Sequence, residues 1–197
     1  MRPHDVFPRF TQPALSQGLW LVRHARPLVD AGVCYGATDM PADSAATQAC
    51  ALKLAQFLPT DARVLHSPSQ RCAQLAQALH AVRPDLQSTG DPRLVEMDFG
   101  CWEGWRWADI PKAAIDDWTA QFADWRFGGH ESVQELMDRV GSVWADTWVA
   151  GHATVWITHA GVIRAATLLA RGVNAVQRSD QWPEEAPGFG QTLRLGR

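Results

Sequence analysis

Residues 19–27 read Leu-Trp-Leu-Val-Arg-His-Ala-Arg-Pro. The apolar run from Leu19 to Val22 predicts a buried strand, and this strand ends directly on Arg23 and His24. In open α/β folds, ligands bind at the carboxyl ends of the strands, so both side chains are expected at a binding site. An imidazole is a nucleophile and a guanidinium holds anions. The pair therefore indicates phosphate chemistry through a phosphohistidine.

Strands alternate with helical patterns along the rest of the chain. Further strands are predicted at residues 62–66 and 153–158, and a closing strand is predicted around Leu193 and Leu195. Such alternation favours an α/β fold, a single three-layer α/β/α domain with a mostly parallel central sheet.

Length, charge and hydropathy exclude several classes of protein. The 197 residues suffice for one domain with a sizeable core, and the net charge of −3 argues against a nucleic-acid surface. No apolar run approaches the roughly 18 residues that span a bilayer, so we expect no membrane segment. Residues 1–17 hold three prolines and no apolar signal core. They are expected to form a loose extension before a domain at 18–197, in a cytoplasmic protein.

The cysteines indicate neither a disulfide framework nor a zinc site. Four of them occur, at spacings of 16, 22 and 29 residues, and these spacings match no zinc pattern. We therefore expect four free thiols and no metal site. They are Cys34, Cys50, Cys72 and Cys101.

Three further segments carry chemical groups near predicted strand ends. After the second strand comes Ser67-Pro68-Ser69-Gln70-Arg71, where Ser67 and Pro68 are predicted as the N-cap and first residue of a helix. Arg71 then lies in the first turn, where a cation opposes the helix dipole unless an anion is bound nearby. Residues 94–104 read Leu-Val-Glu-Met-Asp-Phe-Gly-Cys-Trp-Glu-Gly, and residues 158–164 read Thr-His-Ala-Gly-Val-Ile-Arg.

The four segments together resemble the motifs of the histidine phosphatase superfamily, which includes the cofactor-dependent phosphoglycerate mutases. They appear in the family's order, and the resemblance covers roughly residues 19 to 195. It implies a phosphoglycerate mutase-like fold. It also implies a small-molecule phosphate ester as the partner, and no cofactor.

The resemblance assigns a role to each candidate site residue. His24 would be the nucleophile that takes the phosphoryl group. Arg23, Arg71 and His159 would bind the phosphoryl oxygens, which leaves no charge for a metal ion to neutralise. Glu96 would protonate the leaving alcohol and then serve as the base for water.

Some neighbouring positions qualify this assignment. Glu103 and Asp98 lie close to Glu96, so the choice among these acids rests on the resemblance. His130, beside a Gly-Gly turn, is a candidate for the mouth of the pocket. One or two tryptophans of a crowded group are expected to line it. That group is Trp102, Trp105 and Trp107.

Two positions depart from the family pattern. Ala25 stands where the family commonly has glycine after the nucleophilic histidine, and it would cost about 1 kcal/mol if that position needs a positive φ. Asp30 stands where many sugar-phosphate members have an asparagine that helps hold phosphate. Because a carboxylate would repel the phosphate, this loop is expected to run differently.

A loop segment points to a subgroup. Residues 32–39 read Gly-Val-Cys-Tyr-Gly-Ala-Thr-Asp and resemble the Tyr-Gly-x-Thr-Asp segment of α-ribazole phosphatase-like proteins of cobalamin assembly. The leading interpretation is a phosphomonoesterase, with α-ribazole 5′-phosphate as a candidate substrate. The alternatives are a broad-specificity sugar-phosphate phosphatase, a phosphoglycerate mutase and a non-catalytic module that binds phospho-ligands. The short chain disfavours a mutase, and the complete catalytic set disfavours a pure binder.

Overall fold

A computed structural model describes residues 18–149 and 151–196. The extension predicted for residues 1–17 lies outside these residues. The elements, in chain order, are β1 (Leu19–Arg23), α1 (Ser44–Phe57), β2 (Arg63–His66), α2 (Gln70–Val82), β3 (Ser88–Gly90), α3 (Lys112–Ala120), α4 (Val133–Val149), β4 (Thr154–Thr158), α5 (Ala160–Ala170) and β5 (Thr192–Leu195).

The strands form one five-stranded sheet in the order β3-β2-β4-β1-β5. The first four strands are parallel, and β5 closes the edge antiparallel to β1. The mostly parallel sheet of an α/β domain is therefore confirmed, as is the closing strand.

Helices cover both faces of the sheet because the strand residues alternate between the faces. Leu21 and Trp156 point to a core formed with α4 and α5. Val22 and Val155 point to the opposite core, formed with α1 and α2. This packing gives the predicted three layers. None of the helices in the described part of the chain is long and apolar enough to cross a membrane.

The register brings three strand ends together. Strand β4 lies between β1 and β2, with Arg23 opposite Thr158 and His66 opposite Ile157. The residues that follow these three strands therefore share one edge of the sheet. The predicted site segments begin there.

One predicted helix boundary is wrong. Helix α2 begins at Gln70 with Ser69 as its N-cap, rather than at Ser67 and Pro68. Ser67 continues the strand instead, since its backbone N–H donates to the Ile157 carbonyl at 3.0 Å. A carboxylate from a distant loop caps the helix, because Gln70 donates its backbone N–H to Asp39 Oδ1 at 2.7 Å. Arg71 remains in the first turn.

Candidate active site

His24 is a buried, neutral imidazole at the end of β1. Its Nδ1 lies 2.7 Å from the Ala25 carbonyl oxygen, so Nδ1 carries the proton and donates it. The lone pair is then on Nε2. Burial lowers the pKa of His24 to about 3, and the positive charges of Arg71 and Arg23 act in the same direction, against the Ala25 hydrogen bond, which raises it. The ring is a nucleophile at neutral pH.

Arg23 is held beside His24 by the loop that precedes β5. Its guanidinium lies 4.0 Å from the centroid of the Phe189 ring, and Nη1 donates to the Pro187 carbonyl at 3.1 Å. The Phe189 ring lies 5.5 Å from the His24 ring. Phe189 therefore covers one side of the histidine. Nothing in the sequence around Phe189 indicates this role.

Arg71 is completely buried at the start of α2. Its Nη2 donates to the Gly36 carbonyl at 2.7 Å, and its Nη1 donates to the Thr38 carbonyl at 2.9 Å. The Tyr35 ring lies 5.6 Å from the guanidinium. The loop after β1 thus orients a cation that the helix dipole alone would disfavour.

His159 is the N-cap of α5, and its ring centroid lies 5.1 Å from that of His24. Its Nε2 is 2.9 Å from Ser67 Oγ. If that hydroxyl donates, Nδ1 carries the ring proton. Burial, followed by the charge of Arg71, holds the pKa of His159 well below its ordinary value. The sequence did not indicate that Ser67 positions this ring.

The site contains buried donors that a ligand would satisfy. Within residues 18–149 and 151–196, Arg23 Nε, Arg71 Nε and His159 Nδ1 are buried and have no hydrogen-bond partner. Each unpaired buried donor costs about 1–3 kcal/mol. Two guanidinium groups and a neutral imidazole N–H around the His24 ring are a donor set that suits a phosphoryl group.

Glu96 is held against the start of α5. Its Oε2 accepts the backbone N–H of Gly161 at 3.1 Å, and its Oε1 accepts that of Met97 at 3.1 Å. A Cβ atom on residue 161 would lie 2.3 Å from Oε1. Glycine is therefore required at 161, because any side chain there would displace the carboxyl group.

The two other acids have structural partners. Glu103 accepts the backbone N–H groups of Ala37 (2.8 Å), Thr38 (2.5 Å) and Phe99 (3.1 Å), and also the Thr38 hydroxyl. These bonds fix the same loop that binds Arg71. Asp98 accepts the Gly100 N–H at 2.8 Å.

A family model described as the histidine phosphatase superfamily (branch 1) matches residues 19–182, which is far more than half of the chain. The chain belongs to this superfamily. The predicted family is thereby confirmed. No curated protein has a significant sequence match to the chain.

Solved structures of similar fold include mycobacterial glucosyl-3-phosphoglycerate phosphatase Rv2419c complexed with VO3. It has a TM-score of 0.74 and 23% identity, over 91% of this chain and 92% of that one. The native form of Rv2419c gives a TM-score of 0.67 and 22% identity, over 79% of each chain. TTHB049 from Thermus thermophilus gives 0.63 and 26%, over 90% of this chain and 92% of that one. These relationships confirm the phosphoglycerate mutase-like fold.

The two departures from the histidine phosphatase pattern have physical explanations. Asp61 is the one non-glycine residue with positive φ in the part of the chain that is described, so Ala25 has no conformational penalty. Asp30 has a side chain that is 82% exposed and lies 3.5 Å from Arg106. This carboxylate pairs with an arginine at the surface, and the loop runs differently as expected.

His130 and the tryptophans lie around the cavities next to Glu96. His130 Nδ1 lies 3.0 Å from Asp98 Oδ2, and both residues line a polar cavity that includes Glu96. Of the three crowded tryptophans, Trp107 lines a second, aromatic cavity at Glu96. The other two pack against each other. They are Trp102 and Trp105.

Arg139 of α4 is a functional neighbour that the sequence analysis missed. It donates to the backbone carbonyls of Arg93, Val95 and Glu96 at 2.6–3.1 Å. It also forms a paired contact with Glu131, at 2.6 Å and 3.0 Å. The segment that presents Glu96 is therefore fixed by one guanidinium. No motif marks Arg139, because most of its acceptors are backbone atoms distant in sequence.

Glu131→Gln should lower the free energy of unfolding by about 1.5–3 kcal/mol, the usual contribution of a hydrogen bond to a charged group. The pair with Arg139 is partly buried, with both side chains less than one-fifth exposed. The matched control is Asp116→Asn, which removes a solvent-exposed pair with Lys112. The control should change the unfolding free energy by less than about 0.5 kcal/mol. Equal losses in urea denaturation of the two variants would contradict this prediction.

The buried histidines should make stability depend on pH. Below about pH 6.5 the unfolded chain binds protons on its histidines, whereas folded His24 stays neutral down to about pH 3 and His159 is lowered in the same direction. The unfolding free energy should therefore fall as the pH drops from 6.5 towards 3. The contribution of each histidine approaches about 1.4 kcal/mol per pH unit.

Urea denaturation at pH 7.0, 5.5 and 4.5 measures this dependence. His24→Asn should give a shallower decrease than the unsubstituted protein. The matched control is the exposed His152, whose change to asparagine should leave the decrease intact. Identical pH dependence in His24→Asn and the unsubstituted protein would show that the folded imidazole is not held neutral.

Proposed function

We propose that the protein is a phosphomonoester hydrolase that acts through a phosphohistidine on His24. One observation carries the proposal, namely the three buried, unpaired nitrogen atoms around the neutral His24 ring. In the described residues these atoms belong to Arg23, Arg71 and His159. They are suited to the equatorial oxygens of a phosphoryl group, whose transfer depends on positioning and charge stabilisation.

In the first step, Nε2 of His24 attacks phosphorus. The P–N bond forms as the bond between phosphorus and the alcohol oxygen breaks. The departing oxygen takes the proton of the Glu96 carboxyl group. Arg23 and Arg71 offset the charge of the phosphoryl oxygens throughout, and the Nδ1–H bond to the Ala25 carbonyl supports the positive charge that develops on the imidazole.

In the second step, water attacks phosphorus and gives its proton to the Glu96 carboxylate. The P–N bond breaks, its electron pair returns to Nε2 and inorganic phosphate leaves. Glu96 is then protonated again for the next cycle. The same carboxyl group therefore serves as acid and as base.

The contacts of the three acids favour Glu96 for this role. Glu103 is occupied by four donors of the 36–38 loop and Phe99. Asp98 is engaged by Gly100 and His130. Glu96 has two backbone donors, and it lines the cavities that adjoin the site.

The comparisons support hydrolysis over the other candidate activities. The superfamily is named for phosphatases, and the similar mycobacterial structure is a glucosyl-3-phosphoglycerate phosphatase. A sugar-phosphate phosphatase of broad specificity is therefore the main alternative to a dedicated enzyme. We expect a cytoplasmic, metal-independent enzyme with a small-molecule substrate.

α-Ribazole 5′-phosphate remains a candidate substrate on the resemblance of residues 32–39. In this chain that segment builds the site. Gly36 lies so close to the Met97 carbonyl that a Cβ atom would approach it to 1.8 Å. Thr38 binds Glu103, and Asp39 caps α2. Because these roles concern the loop itself, the segment does not distinguish α-ribazole phosphate from other esters.

The test is to trap the phosphoenzyme with a ³²P-labelled phosphomonoester in the presence of EDTA. The proposal expects an acid-labile, alkali-stable label on His24, because a phosphorus–nitrogen bond is cleaved by acid. It also expects turnover of a panel that includes α-ribazole 5′-phosphate. A label on another residue, or activity that EDTA abolishes and Mg²⁺ restores, would refute the mechanism.

A further inference from the structure

An aromatic cavity of about 360 Å³ lies beside the carboxyl group of Glu96. Gly161, whose N–H holds that carboxyl group, also lines it. A volume of this size suits a small ligand. Five aromatic side chains line most of the wall. They are Phe99, Trp107, Trp118, Phe122 and Trp182.

The aromatic rings hold one another in place. Trp118 stacks on Phe122 at 5.5 Å, and Phe99 meets Trp107 edge-to-face at 5.4 Å. Phe122 contacts Trp182 in the same way at 6.2 Å. The wall is therefore formed before a ligand arrives. Such a wall favours planar rings, which pack by offset stacking or edge-to-face contact.

Arg164 of α5 brings a cation into this apolar wall. Its Nη2 donates to the Glu184 carbonyl at 2.9 Å. Its Nε is buried and has no partner in the described ranges, and the same is true of Trp118 Nε1 in the same wall. Burial lowers the pKa of Arg164. Both donors would gain a hydrogen bond from an acceptor atom on a bound ligand.

We infer that the alcohol part of the substrate is an aromatic group that carries a hydrogen-bond acceptor, and that it binds in this cavity with the acceptor on Arg164. The inference rests on the proposed function, because it places the leaving alcohol next to the proton donor Glu96. A carboxylate is the strongest acceptor for a guanidinium. Arg164 is thus a residue that determines specificity for the alcohol.

The neighbouring cavities fit this alcohol less well. A polar cavity also reaches Glu96, but its arginine, Arg139, already donates to three carbonyls and to Glu131. A third cavity, lined by residues 26–32, Tyr35 and Phe189, does not include Glu96. A sugar-like alcohol would use the polar cavity.

The first experiment compares kcat/KM for benzyl, cyclohexylmethyl, ethyl and glycerol phosphate esters. All four leaving groups are alkoxides, so their demand for a proton is similar. The inference expects benzyl phosphate to exceed ethyl phosphate by about 10- to 100-fold, the usual range for filling an apolar pocket. Cyclohexylmethyl phosphate should fall between them. Glycerol phosphate should resemble ethyl phosphate.

The second experiment uses variants of the cavity. Trp107→Ala should reduce the benzyl-to-ethyl ratio of kcat/KM by about tenfold. The matched control is Trp105→Ala, since Trp105 is a comparably exposed tryptophan that does not line the cavity. The control should keep the ratio. Arg164→Gln should remove the advantage of 4-carboxybenzyl over benzyl phosphate, by about tenfold or more.

The outcomes separate this inference from the proposed function. Hydrolysis of all esters with equal kcat/KM, or a preference for glycerol phosphate, would overturn the aromatic cavity while leaving the phosphatase intact. A benzyl-to-ethyl ratio that falls equally in Trp107→Ala and Trp105→Ala would also overturn it. Hydrolysis of no ester, with no label on His24, would remove the proposed function and this inference together.

Discussion

His24→Ala is expected to lower kcat by at least about 10³-fold on any phosphomonoester. The substitution removes the Nε2 lone pair, and with it the covalent route. No other histidine replaces it, because the ring of His159 is engaged by Ser67 and serves as a donor to the phosphoryl group. Steady-state kinetics with p-nitrophenyl phosphate measure the loss.

The control for this prediction is a histidine at the other end of the sheet. His152 precedes β4, is exposed and lies away from the carboxyl edge that carries His24. His152→Ala should retain full activity. Circular dichroism should show that both variants are folded. If His24→Ala kept more than about one-hundredth of the activity, the phosphohistidine route would be wrong, since that loss is no larger than a modest acid–base effect.

Glu96→Gln should slow the hydrolysis of alkyl phosphates by about 10²–10⁴-fold, the usual contribution of a general acid. An alkoxide cannot leave without a proton, whereas p-nitrophenolate leaves readily on its own. Hydrolysis of p-nitrophenyl phosphate should therefore lose much less. The measurement is the ratio of the two kcat/KM losses, since each loss reports transition-state stabilisation.

The neighbouring acids provide matched controls. Glu103→Gln weakens the bonds that fix the 36–38 loop, so both substrates should lose activity to a similar extent. Asp98→Asn should likewise show no dependence on the leaving group. If Glu96→Gln impaired both substrates equally, its role would be binding or structure. A selective loss in Glu103→Gln would move the proton donor to that residue.

Local patterns predicted the parts of the site that follow strands. The apolar run of β1 ends at Arg23 and is followed by His24, and β4 ends just before His159. Because parallel strands align their carboxyl ends, the sheet topology alone brings these groups to one edge. The same reasoning placed Arg71 correctly, although α2 begins later in the chain than predicted.

Contacts between distant segments could not be predicted from the sequence. Gly190 donates to the carbonyls of Arg23 and His24 at 3.1 Å, and this pairing places Phe189 over the nucleophile. Arg139 acts through backbone carbonyls, which every sequence possesses. Such contacts leave no pattern of residue types, because their partners are chosen by the fold rather than by side-chain chemistry.

The start of α5 joins two chemical tasks in one rigid body. His159 caps the helix and faces the phosphoryl group, while the N–H of Gly161 holds the carboxyl group of Glu96. A displacement of α5 would therefore carry the phosphoryl ligand and the proton donor together. The distance between the broken bond and its proton is set by one turn of helix. Loops elsewhere are thus free to diverge among related enzymes, and to change the alcohol they accept, without altering the timing of bond cleavage and proton transfer.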